Sequence, residues 1–336
     1  MKRTHRSNVL LMAAFIFVPL LAEAAGPRSA TLATHAVGSL TNAIGTGIAL
    51  VVSRHTSTTV RVQPFGGPPA WLPSMDKGET DMGILASADA ITSYKGIVLY
   101  KRPFKIKNTR IVIVGGTSQF GYYVAKDSPL ETVADLKGRR IPTDFPGIPI
   151  VRLAGIAALA TAGFTYNDIV KVPVSDLAAG AQAFLEGRVD AGWYSIGSPA
   201  IEEANARVGG VRFLSVISTP EGAKKMADIY PGSYPGVVKA GTATGVVKDT
   251  TLLTIDFYLV ASREMSEEAV YEVVKTLWGY NQELGEANPI LRAWRRERMV
   301  SQKATIPYHP GATRFFKESG AWSKEMEDLQ AKLLKQ

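Results

Sequence analysis

The chain runs to 336 residues, 46% hydrophobic and 20% charged, a balance that excludes a disordered or low-complexity protein and leaves length for two sizeable cores. Its formal net charge of +8 favours anionic ligands, but Lys and Arg are scattered, with only short groups such as Arg295-Arg296-Glu297-Arg298, so no nucleic-acid partner is expected. It contains no cysteine: it can fold in an oxidising compartment without disulfide choices and has no N-terminal Cys to carry a lipid anchor.

The first element in chain order is a targeting segment. Met1 to Asn8 is basic, Val9 to Ala22 is apolar, and Ala22-Glu23-Ala24 is the small-x-small pattern that a signal peptidase reads. Residues 1–24 are therefore expected to be a signal peptide, leaving a mature chain that begins near Ala25 in the periplasm. The apolar run is shorter than the roughly 20 residues that a bilayer requires, and it carries Pro19. No stable membrane insertion is expected.

Residues 30–36 and 59–65 read as strands, and residues 42–55 between them carry apolar positions at helical spacing, a β-α-β opening. The grammar returns later, with a strand and turn over 138–147, a helix over 150–163 ending on Gly163, and a strand over 169–174. Two α/β lobes follow. One six-residue pattern supports a repeat: Gly78-Glu79-Thr80-Asp81-Met82-Gly83 and Gly187-Arg188-Val189-Asp190-Ala191-Gly192 are both Gly-x-x-Asp-x-Gly. In each, the first Gly is expected to stop a helix at positive φ and the Asp to open a strand as a structural cap. Residues 109–127 are expected to cross from the first lobe to the second, with 115–121 at the strand's end, and residues 250–264 to cross back. The expected division is 25–120 with 255–336 for the first lobe and 121–254 for the second.

The order of "GSLTNAIGTGIA", "FGGPPAWLPSMDKGETDMGI", "DLKGRRI", "EGRVDAGWYSIGSPAIEEA", "GSYPG" and "YHPGATRFFKE" resembles the TAXI family of solute-binding proteins that serve TRAP transporters. The resemblance covers about Ala30 to Lys317. It implies a two-lobed periplasmic binding protein-like (type II) α/β fold with two hinge crossings and the ligand cleft between the lobes. It also implies a small organic anion as ligand and the TRAP transporter membrane subunits as partners.

In such a fold ligands sit beyond the carboxyl ends of the strands, where helix starts offer backbone N–H groups to an anion. In the first lobe this singles out His35, Ser39, Thr41 and Asn42 after the first strand, Gly67 and Trp71 after the second, and Ser87 after the third. In the second lobe it singles out Phe145, Gly147 and Ile148, with Trp193 and Tyr194 leaving the echoed strand; these two alternate, so one should face a core and the other the cleft. The resemblance fails at part of this site. Thr41-Asn42 stands where the family commonly has a Tyr pair, and Gly-Gly-Pro-Pro-Ala-Trp ending at Trp71 and Gly147-Ile148-Pro149-Ile150 replace more polar loops. The expected ligand is a carboxylate with an aromatic or apolar body against Trp71, Phe145 or Trp193; a glutamate-like or 2-oxoglutarate-like ligand stays open.

Enzyme signatures are absent: there is no Cys nucleophile, Gly-x-Ser-x-Gly elbow, Walker loop or His-Glu-x-x-His. After export only His35, His55 and His309 remain, too far apart to suggest a metal site by spacing. No cofactor and no metal are expected. Two alternatives stay open, a periplasmic sensing module for a membrane receptor and an enzyme on the same fold. The charges of 289–300 are expected to mark a solvated helix face.

Overall fold

The computed structural model describes residues 29–35, 37, 39–97, 105–146 and 149–336; the expected signal peptide, Gly147 and Ile148 lie outside them. The chain opens with β1 (Ser29–His35), α1 (Leu40–His55), β2 (Thr59–Phe65), α2 (Pro68–Asp76), β3 (Met82–Ala86), α3 (Ser87–Lys95) and the long β4 (Thr109–Ala125). It continues with β5 (Arg140–Asp144), α4 (Pro149–Ala160), β6 (Val170–Val174), α5 (Leu177–Leu185), β7 (Gly192–Ser195), α6 (Pro199–Arg207), β8 (Val211–Phe213), α7 (Pro220–Ile229) and β9 (Ser233–Val238). A second long strand, β10 (Thr250–Ser262), leads into α8 (Glu267–Gly279), α9 (Asn281–Ala287), two short 3-10 turns, α10 (Pro310–Glu318) and α11 (Lys324–Leu334).

The sheet order shows why there are two lobes. On one side the strands lie β2-β1-β3-β10-β4. On the other, β7 and β8 flank β4, both pairing with Tyr123, and β5 pairs with β6. The Asp190 N–H donates to the Arg140 carbonyl at 2.9 Å, which joins β5 to the approach to β7 and completes β6-β5-β7-β4-β8. Each lobe thus has the same order, with a strand from the other half of the chain in fourth place. β4 and β10 pair antiparallel from Thr109–Ser262 to Phe120–Leu253 and are the two hinge crossings. β3 is antiparallel to β10 and β7 is antiparallel to β4, so the carboxyl ends of β3 and β7 point toward the opposite lobe.

Local chemistry accounts for these boundaries. The Ser39 hydroxyl caps α1 by accepting the Asn42 N–H at 3.2 Å, and Arg54 and His55 close its last turn, where cations suit the helix dipole. α2 and α5 are followed by Gly78 at φ 75° and Gly187 at φ 68°, a left-handed conformation that glycine adopts without a Cβ penalty. The strand expected to end in 115–121 instead runs straight through that segment. Gly115 and Gly116 are needed there because the indole of Trp294 lies directly on them.

Candidate functional site

The first lobe brings its four expected loop residues together. At the end of β1, His35 donates its backbone N–H to Thr41 Oγ1 at 3.0 Å, and Asn42 Nδ2 donates to Thr34 Oγ1 at 3.1 Å. Ser39 Oγ and Thr41 Oγ1 lie 3.3 Å apart. Thr41 is buried, while His35, Ser39 and Asn42 are half-buried. Burial pushes the His35 imidazole below its ordinary value of 6.5, which favours the neutral ring at pH 7. Gly67, at φ 142°, precedes α2. Pro68 and Pro69 open that helix and carry no N–H, so this helix start has fewer donors than α1 to offer an anion.

In the second lobe β5 ends on Asp144 at φ 74° and is followed by Phe145 at φ 45°, two consecutive non-glycine residues in left-handed conformation, a costly arrangement that clusters at functional loops. The Phe145 N–H is held by the Val174 carbonyl at 3.1 Å. Across the lobe, Trp193 is buried with its ring 4.7 Å from that of Tyr122 and 6.4 Å from that of Phe120. Tyr194, on the other face of β7, is half-buried, and its hydroxyl pKa is raised first by burial and then by the charge of Asp176.

Three expected residues take other parts. Trp71 is fully buried and its six-membered ring covers Gly83 of β3, where a Cβ would lie 2.6 Å from the ring; it packs in the core of the first lobe. Phe145 is likewise buried, its ring facing Gly180 of α5. Ser87 is also buried, donating to the Gly232 carbonyl at 2.8 Å and accepting the Asp256 N–H at 3.2 Å; it fastens the start of α3 to β10 and to the turn before β9.

Sequence reasoning missed a polar cluster at the crossing. Asp256, buried in β10, accepts from Tyr234 at 2.9 Å and from Arg298 Nη2 at 2.7 Å, and Arg298 Nε donates to the Gly115 carbonyl at 2.9 Å. Lys303 Nζ lies 3.6 Å from the centroid of the Tyr234 ring. Thus 289–300 is no solvated helix: it forms two 3-10 turns, and Arg298 crosses bare backbone to a buried carboxylate. The usable signal was a lone Asp in the apolar strand "TLLTIDFYLVA", since a buried carboxylate requires a partner. Among the described residues no group of three or more His, Cys, Asp or Glu is placed to hold a metal ion. No helix among them is long and apolar enough to cross a membrane.

The profile of the NMT1-like family matches residues 32–320. Among solved structures, a TctC solute-binding protein from Polaromonas is similar at TM-score 0.53 and 17% identity, over 77% of this chain and 86% of that one. The periplasmic sulfonate-binding protein SsuA from Methylobacillus flagellatus is similar at TM-score 0.51 and 18% identity, over 91% of this chain and 94% of that one. At these identities the likeness is one of fold, the two-lobed α/β fold of periplasmic binding proteins.

Proposed function

Because the chain belongs to the NMT1-like family, we propose that it is a periplasmic solute-binding protein of the TAXI type, exported by residues 1–24. It captures a small organic anion between its lobes and delivers it to the membrane subunits of a TRAP-type transporter. The first lobe comprises residues 25–120 and 255–336 and the second 121–254, and closure about β4 and β10 offers the transporter a distinct liganded shape. The ligand is a carboxylate with an apolar or aromatic body. Its contacts come from His35, Ser39, Thr41, Asn42 and Gly67 on one side and from the loop of Gly147 and Ile148, with Trp193 and Tyr194, on the other.

One observation carries this reading: the carboxyl ends of β3 and β7 point toward opposite lobes across a paired crossing of β4 and β10. Half-buried Phe65 and Phe120, one ending β2 and the other on the crossing, support an apolar body. Native mass spectrometry of the protein purified from periplasm, followed by extraction, identifies a co-purified organic anion. A thermal-shift panel of aromatic and aliphatic carboxylates gives a rise in Tm without turnover. Consumption of the bound compound at catalytic rates would end the reading.

A further inference from the structure

A shift of 109 positions carries the first lobe onto the second. It takes β3 (82–86) to 191–195 and α2 (68–76) to 177–185, with no insertion between them. Under this shift Thr34, the penultimate residue of β1, corresponds to Thr143, the penultimate residue of β5. Their surroundings differ at both partners. Thr34 Oγ1 accepts from Asn42 Nδ2 and donates to the His35 carbonyl at 2.9 Å. The counterpart of Asn42 is Val151, which has no donor to offer, the counterpart of His35 is Asp144, in left-handed conformation, and Thr143 Oγ1 is buried without a hydrogen-bond partner.

Thr143 has company. Trp193 is 1% exposed and its Nε1, a group that can only donate, is also without an acceptor. The two side chains lie on the same face of neighbouring strands. Pro142 lies under Gly180 of α5, so Thr143 points to the opposite face. Gly192 lies over Tyr123, whose ring meets Phe184 of α5, so Trp193 also points away from α5. There it packs on Tyr122, whose hydroxyl donates to the Gly155 carbonyl of α4 at 3.3 Å. Both orphaned groups thus stand beneath α4, at the edge where the left-handed pair Asp144–Phe145 leads toward that helix.

We infer that the second lobe seats the anionic end of the ligand, a carboxylate oxygen accepting from Trp193 Nε1 and Thr143 Oγ1 beneath the start of α4. The inference rests on the solute-binding reading and adds a polarity to it. The strand-end threonine of the first lobe has both of its hydroxyl bonds made, by Asn42 and the His35 carbonyl, whereas Thr143 and Trp193 hold two unmade donors on one face; the first lobe's own unpartnered indole, Trp71 Nε1, lies in its core against Gly83. Buried donors left unmade lower stability, and a helix N-terminus beside them favours negative charge.

Calorimetric titration with benzoate, phenylacetate, glutamate and 2-oxoglutarate tests this on the wild-type protein and on the Thr143→Val and Trp193→Phe variants, together with the ligand-free Tm. The expected result is binding of at least one carboxylate by the wild type and weakening by about tenfold or more in each variant. The ligand-free Tm of Thr143→Val should be unchanged or higher, because a methyl group replaces an unpaired hydroxyl. Wild-type affinity in both variants overturns the inference, as does a lower ligand-free Tm for Thr143→Val, which would mean that the hydroxyl holds a structural water. A wild type that binds none of the four overturns the carboxylate ligand of the proposed function, and the inference with it.

Discussion

The carboxylate of Asp81 accepts the backbone N–H of Thr31 at 2.8 Å, clamping the segment before β3 to the start of β1. Asp190 accepts the N–H of Arg140 at the same distance, and both members of this second pair stand 109 positions after the first. The recurring Gly-x-x-Asp-x-Gly is therefore one device used twice. The glycine ends the helix, and the carboxylate joins the returning strand to its parallel neighbour before the ladder begins.

The clamp makes a graded prediction. Asp81 also accepts from the Thr31 hydroxyl at 2.9 Å, so Asp81→Ala leaves a backbone and a side-chain donor without an acceptor and is expected to cost about 1–3 kcal/mol. Asp190→Ala is expected to cost less, because Arg140 is 47% exposed and water can replace the lost oxygen. Urea unfolding of the two variants measures the difference; equal losses would mean that the first clamp is no more buried than the second.

Much of the fold was legible. β2 covers the seven residues whose alternation and β-branching marked a strand, and both expected crossings are strands that pair with each other. What stayed hidden depends on which faces meet. Trp71 looked like a cleft residue because it follows a glycine turn, yet Gly83 on β3 makes room for its ring, a contact that sequence spacing does not reveal. The cluster of Asp256, Tyr234 and Arg298 joins residues 22 and 42 positions apart, beyond any local periodicity. The loop network of His35, Ser39, Thr41 and Asn42 was readable because all four lie within one strand-to-helix turn.

Gly115 tests the packing of Trp294 on the first crossing, β4. A Cβ there would meet the Trp294 indole directly, whereas one at Gly66 would meet nothing within 4 Å. Gly115→Ala is expected to lose about 1–3 kcal/mol through overpacking, and Gly66→Ala to stay within about 0.5 kcal/mol of the wild type. Chemical denaturation reads both; a neutral Gly115→Ala would show that Trp294 is free to move off β4.

His309 gives a pH dependence. Its Nδ1 accepts the Gly311 N–H at 3.2 Å to cap α10, and its Nε2 donates to the Met265 carbonyl at 3.1 Å. Burial, above all, lowers its pKa from 6.5 to about 4. A folded value below the unfolded one means that the neutral ring contributes stability in full above pH 6.5, and that this is lost as pH falls toward 4. The contribution is up to about 3 kcal/mol. His309→Asn, which retains a capping oxygen, should flatten the stability profile between pH 6.5 and 4. An unchanged slope would place the titration elsewhere.

The hinge pair supplies the sharpest test of how the lobes are joined. Burial pushes the Asp256 carboxyl above its ordinary value of 3.8, against the opposing pull of Tyr234 and Arg298. A raised folded value means that its favourable contribution is complete below the ordinary carboxylate range and is lost as pH rises through the folded value. The guanidinium limits that loss. Arg298→Met removes it and leaves a carboxylate whose side chain is 2% exposed with the Tyr234 hydroxyl, the Ser87-held backbone and the more distant charge of Lys303 beside it. Breaking a fully buried pair costs about 3–5 kcal/mol, but Arg298 is 31% exposed, so about 1–3 kcal/mol is expected at pH 7. At pH 4 the loss should be smaller, because the unpaired carboxyl takes up a proton more readily in the variant. Adding Asp256→Asn to Arg298→Met should recover most of the pH 7 loss, a coupling that a double-mutant cycle isolates. Equal destabilisation at both pH values with no recovery would mean that Arg298 acts only through its bond to the Gly115 carbonyl, and that the crossing is held by backbone pairing alone.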